Sequence, residues 1–181
     1  PNYKTWNWKD WAGYRSVCTY GLSLDREYNA IRQGSAVIDV SPLFKYDISG
    51  KNAGDFLARI LSRDVRRLKI GRMTYLCWTD DNGKLLDDGT CARLSHDTWR
   101  LTAAAPAYSW MMRHAGPFNV KVVDISENTA ALAVQGPTSK QLLSQICDLD
   151  MDKISFFGVA ETTFSSGFSG WVSRTGYTGD L

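Results

Sequence analysis

Between residues 45 and 126 the chain changes hydrophobic period in a fixed order, and that order limits the fold more than any bulk property does. "KYDISG" (45–50) alternates as a strand does. "NAGDFLARILSRDV" (52–65) sets Phe56, Leu57, Ile60 and Leu61 on one helical stripe. "RMTYLCWTD" (72–80) returns to a strand, and "DNG" (81–83) is a hairpin turn signal. "KLLDDGTCARLS" (84–95) and "TWRLTAAA" (98–105) read as strands joined through His96-Asp97. "PAYSWMMRHAG" (106–116) reads as a helix with proline in its first turn and glycine at its end. "NVKVVDIS" (119–126) is a last strand. The sum is β-α-β-β-β-α-β: an antiparallel sheet with two helices on one face, an α+β plan close to ferredoxin-like.

The flanks carry a second set of elements. "DREYNAIRQGS" (25–35) reads as a helix capped by Asp25 and stopped by Gly34, followed by a strand at 36–41. After 126 come a strand and turn (129–137), a helix (138–146) capped by Thr138 or Ser139, and strands at 154–164 and 168–176. "DISGKNAGDFLARI" and "AVQGPTSKQLLSQI" share one plan: a strand, a glycine turn, then a helix ending in Leu/Ile. That points to a weak internal repeat and to two similar α+β units.

Composition excludes several classes. Of 181 residues, 44% are hydrophobic and 22% charged, which argues against disorder. A net charge of +2 gives no footprint for nucleic acid. The basic run Arg63, Arg66, Arg67 and Lys69 is broken by Asp64 and reads as a solvated helix end before a phosphate site. No run of about 18 apolar residues suggests a membrane span, and the start shows no secretory signal. Cys18, Cys77, Cys91 and Cys147 have no CxxC spacing, so no metal site is expected, and reduced thiols suit a cytoplasmic protein. His96 and His114 are the two histidines and give little support to a histidine-based catalytic site. Trp6, Trp8 and Trp11 form either a folded-back core segment or a partner contact.

Three segments could carry chemistry. In "LLDDG" (85–89) the strand pleat sends Asp87 and Asp88 to opposite faces, and the one on the covered face needs a partner. The pair is either bound to backbone or offers a carboxylate to an N–H-rich ligand. "RTGYTGD" (174–180) flanks Tyr177 with glycines that permit a close approach to a ligand; a decorated hairpin is the plainer reading. "VQGP" (134–137) says only that a turn follows a strand.

Taken together, "EYNAIRQGSAVIDVSPL" (27–43), "LLDDGT" (85–90), "LAVQGPTS" (132–139) and "SRTGYTGD" (173–180) resemble the glycine cleavage T-protein (aminomethyltransferase) family in order and spacing. The resemblance covers nearly the whole chain from Asp25. It implies interleaved ferredoxin-like units: a first folate-binding unit from 1–46 and 127–181, with 47–126 inserted as a second unit. It further implies that the chain corresponds to the N-terminal part of a longer enzyme, which continues past Leu181 into a Gly-aromatic-Glu segment that helps hold the pterin.

The chemistry implied is transferase chemistry: a one-carbon unit passes from a donor to N5 of tetrahydrofolate, the folate cofactor of one-carbon metabolism. By the resemblance Asp88 is the catalytic carboxylate, and Leu43, Tyr75, Asp88, Ala104 and Tyr177 line the folate site. Two motifs depart from the family pattern. "DVSHM" reads "DVSPL" (39–43), so Pro42 replaces a histidine and Leu43 a methionine. "VVN" reads "TAA" (102–104), so Ala104 replaces an asparagine. These departures point to a methyltransferase or demethylase acting on a small methylated substrate. Aminomethyl transfer from a lipoyl carrier protein and a non-catalytic folate-binding protein are the alternatives. Neither nucleic acid nor membrane is expected as a partner.

Overall fold

A computed structural model describes residues 7–21 and 23–176. Its elements, in chain order, are β1 (Trp8–Trp11), β2 (Tyr14–Val17), α1 (Leu24–Gln33), β3 (Ala36–Asp39), β4 (Phe44–Ser49), α2 (Ala53–Ile60), β5 (Arg72–Thr79), β6 (Leu85–Arg93), β7 (Thr98–Ala103), α3 (Tyr108–Ala115), β8 (Lys121–Asp124), β9 (Leu132–Gln135), α4 (Ser139–Ile146), β10 (Val159–Thr163) and β11 (Ser169–Ser173).

The expected α+β plan is present. Five strands form one sheet in the order β5-β6-β7-β4-β8, and every neighbouring pair is antiparallel. The run β8-β4-β7-β6 is the ferredoxin-like order, and β5 adds an edge. The pleat divides the residues between two faces. Tyr46, Ile48, Leu76, Trp78, Cys91, Trp99 and Leu101 point to one face, where Phe56 and Leu57 of α2 and Met111 of α3 close a single core. The alternate residues point away from the helices, and many are polar: Lys45, Asp47, Tyr75, Asp88, Thr90, Arg100 and Thr102. A smaller apolar cluster of Met73, Ala92 and Val159, with Phe157 and Trp171, joins the β10–β11 hairpin to the rest.

Local chemistry moved several expected boundaries. α2 stops at Ile60 instead of running to 65, because the Asp64 side chain accepts the Arg66 N–H and starts a separate 3-10 turn at Val65–Arg67. Pro106 lies before α3, not in its first turn: Ala104, Ala105 and Ala107 give their N–H groups to Asp87 and Tyr46, which holds that segment out of the helix. Ser23, not Asp25, occupies the cap position of α1. The N-terminal Trp8 and Trp11 lie on a hairpin that the sequence reading did not foresee. Its two-residue turn is Ala12-Gly13, both left-handed (φ 51° and 83°), where an Asn-Gly or Asp-Gly signal is the usual cue. Trp6 lies outside the described residues.

The internal repeat is deeper than the sequence suggested. Gly50 and Gly136 both have positive φ (127° and 119°). In each copy the carbonyl of that glycine accepts an N–H three residues on, from Ala53 or Ser139, and an eight-residue helix follows. At the same separation, Asp64 and Asp150 each cap a 3-10 turn by accepting the N–H two residues ahead. A side chain at Gly136 would meet the Gly34 carbonyl at 2.3 Å, so that turn requires glycine.

Candidate functional site

The site is set by the β5–β6 register. Tyr75 stands opposite Thr90 and Cys77 opposite Asp88, so all four share the face that the helices leave open. The Tyr75 hydroxyl donates to the Asp88 carboxylate. That bond pushes the Tyr75 phenol above its ordinary pKa, since losing the proton would place an anion beside the carboxylate. Tyr75 is 55% exposed, so the pair lies open to a ligand.

Asp87 does something different. Its side chain accepts N–H groups from Ala104 at 2.9 Å and Ala105 at 2.8 Å, tying the end of β7 to β6. The two adjacent carboxylates thus part as the pleat requires, one bound to backbone and one on the open face. Gly89 makes this crossing possible, because a Cβ there would lie 1.9 Å from the Thr102 carbonyl oxygen. Beside it, Thr102 Oγ1 accepts the Thr90 N–H at 3.0 Å and shares a 2.7 Å hydrogen bond with the Thr90 hydroxyl.

Further along the same face, Arg100 donates twice to Asp47, at 2.8 and 2.9 Å, a bidentate pair. Lys45 is opposite Thr102 in register and is only 3% exposed. Its Nζ donates to the carbonyls of Ser41 at 2.9 Å and Leu43 at 2.6 Å, and burial pushes its pKa down. The sequence reading missed Lys45. Its signal was its parity: it alternates with Tyr46 and Ile48, which places it on the polar face.

Of the residues singled out from sequence, Tyr75 and Asp88 meet directly. Leu43 sits half-buried just before β4, its carbonyl held by Lys45. Ala104 is exposed at the end of β7, its amide anchored by Asp87. Tyr177 lies outside the described residues.

The basic run divides in two. Arg66 is spent on Asp64 (2.8 Å) and Asp55 (3.0 Å), as a solvated turn would have it. Arg63, Lys69 and Arg67, which also reaches Asp64 at 3.8 Å, join Arg72, Phe157 and Tyr75 around a cleft of about 630 Å³. A cationic trough therefore abuts the Tyr75–Asp88 pair. Among the described residues no three His, Cys, Asp or Glu side chains gather around a common point. Among them, too, no helix is long and apolar enough to cross a membrane.

Comparison with known proteins adds to this geometry. A family model described as the GCVT N-terminal domain matches residues 4–181. An aminomethyltransferase of Clostridium botulinum (strain ATCC 19397 / Type A) is 32% identical over 175 residues, covering 94% of this chain and 47% of the relative. An aminomethyltransferase of Thermoanaerobacter sp. (strain X514) is 31% identical over 184 residues, covering 98% and 50%. The crystal structure of glycine cleavage system aminomethyltransferase T from Bartonella henselae superposes with a TM-score of 0.83 at 26% identity, covering 95% of this chain and 47% of that one. A heterotetrameric sarcosine oxidase from Corynebacterium sp. U-96 gives a TM-score of 0.60 at 16% identity, over 85% of this chain and 79% of that one, a likeness of fold alone. The chain spans about half the length of the curated relatives it matches.

Proposed function

Because this chain belongs to the GCVT N-terminal domain family, we propose that its Tyr75–Asp88 face serves the transfer of a one-carbon unit to N5 of tetrahydrofolate. The observation that carries the reading is a juxtaposition: hydrogen-bond acceptors on an open sheet face, with a cationic trough beginning at Tyr75. Tetrahydrofolate has the same polarity. Its pterin end is rich in N–H donors, and its glutamyl end carries carboxylates. The residues present therefore fit the group.

In this reading the reduced folate, when bound, supplies N5 as the one-carbon acceptor. Asp88 receives ligand N–H groups and holds or moves a proton at its carboxylate, while the Tyr75 hydroxyl keeps that carboxylate oriented. Arg63, Arg67, Lys69 and Arg72 bind the carboxylate tail. By the family resemblance Leu43 and Ala104 add to the lining of the folate site, and Tyr177 is assigned to it from the sequence alone.

The donor is a small methylated compound in the reading that Ala104 favours. An asparagine amide could pair with a polar edge and the alanine methyl cannot, so the site differs where the family pattern has an amide. A second reading, aminomethyl transfer from a lipoyl carrier protein, is favoured by the relatives named aminomethyltransferases. The protein acts in the cytoplasm in either case.

The test is a titration of tetrahydrofolate followed by tryptophan fluorescence, with Asp88→Ala in parallel. Saturable binding by both proteins, with turnover lost only in the variant, is expected. Methylated donors and a lipoylated carrier protein are then compared for one-carbon product. An absence of binding at millimolar tetrahydrofolate would sink the proposal, and binding without product from any donor would leave a folate-binding protein.

A further inference from the structure

A second cleft lies where the ends of α2 and α3 meet the β5–β6 turn, lined by neither Tyr75 nor Asp88. Its volume is about 710 Å³, within the range of small-molecule sites. Its apolar lining comes from Ile60, Leu61, Leu86 and Trp110. Trp110 lies nearly parallel to the buried Trp78 (ring centroids 6.1 Å apart, 23° between planes), and the His114 ring stands steeply to it (5.2 Å, 62°). Leu86 adds an exposed apolar side chain to the same wall.

Two guanidinium groups line this cleft, Arg59 from the last turn of α2 and Arg113 from the last turn of α3. Arg66 and Arg100 each find a carboxylate. The side chains of Arg59 and Arg113 have no ion pair or hydrogen bond among the described residues. A helix end favours basic residues through its dipole, which accounts for their charge. It does not account for two unpaired guanidinium groups lining one cleft with a stacked indole. Asp80 and Asp81 line the same cleft and balance the two guanidinium charges, which disfavours polyanions.

We propose that this cleft binds a planar aromatic ligand bearing a single carboxylate, its ring against Trp110 and Leu86 and its carboxylate between Arg59 and Arg113. Arginine suits this task because its planar fork matches a carboxylate bidentately. Aromatic stacking holds the ring without fixing its identity.

The test uses the full chain and two probes of one shape, indole-3-carboxylate and its uncharged analogue indole-3-carboxamide. Binding is read from the Trp110 indole N–H resonance, assigned with Trp110→Phe. The carboxylate should shift that resonance saturably, and the carboxamide should bind at least about tenfold more weakly. Arg59→Ala with Arg113→Ala should weaken carboxylate binding by a similar factor while leaving the circular dichroism spectrum unchanged. Three results would each overturn the proposal: no saturable shift at millimolar probe, equal binding of the two probes, or full binding by the double variant. Displacement of the probe by tetrahydrofolate would place it in the folate site and overturn it as well.

Discussion

Asp87 and Asp88 are neighbours in sequence with opposite tasks, and substitution separates them. Asp87→Ala removes two hydrogen bonds that tie the Ala104 and Ala105 amides to β6 and should cost about 1–2 kcal/mol, measured by urea unfolding. Asp88→Ala removes one exposed hydrogen bond, so its unfolding midpoint should stay close to that of the parent while turnover falls. A larger stability loss for Asp88 than for Asp87 would reverse this assignment. The thiols differ as sharply. Burial pushes Cys91 up to about 12, whereas Cys18 is exposed. A disulfide reagent at pH 8 should modify Cys18 in the folded protein and reach Cys91 only on unfolding. The same shift has a sign in stability. Between about pH 9 and 12 the unfolded chain loses this proton first, so the Cys91 contribution is full below pH 9 and lost as pH rises through 12.

At the scale of elements, the repeat sets up a controlled comparison. α2 and α4 carry the same stripe: Phe56 and Ile60 correspond to Leu142 and Ile146. In α2 the stripe is buried under the five-stranded sheet; in α4 Leu142 is 41% exposed and Ile146 39%. Phe56→Ala should therefore destabilise by about 3–5 kcal/mol, and Leu142→Ala by less than about 1 kcal/mol. Equal losses in thermal or urea unfolding would mean that α4 is packed as tightly as α2. The sequence shows both stripes, and only the structure shows that one of them has a sheet against it.

At the scale of the molecule, protection should follow the sheet. β4 and β7 are central in it, while β3 and β9 form a two-stranded ladder with exposed Val37 and Leu132. Amide exchange should be slowest in β4 and β7 and faster in β3 and β9. Charge acts at this scale too. A net charge of +2 is small, but the fold gathers four cations beside Tyr75. Arg63→Glu with Arg67→Glu should weaken tetrahydrofolate binding by about tenfold and flatten its dependence on salt. Unchanged salt dependence would remove the trough from the site.

The sequence by itself determined the order of strands and helices from α1 onward, the split of Asp87 from Asp88 and the glycine turns that open α2 and α4. Each of these rests on short-range periodicity or on one residue's conformational freedom, which neighbours in the chain express directly. The tertiary structure alone decided that Tyr75 meets Asp88, that Lys45 is buried beneath the turn before β4, and that Arg63, Arg67, Lys69 and Arg72 share one trough. Those facts depend on strand register and on which faces meet, and register is fixed by the packing of the whole sheet.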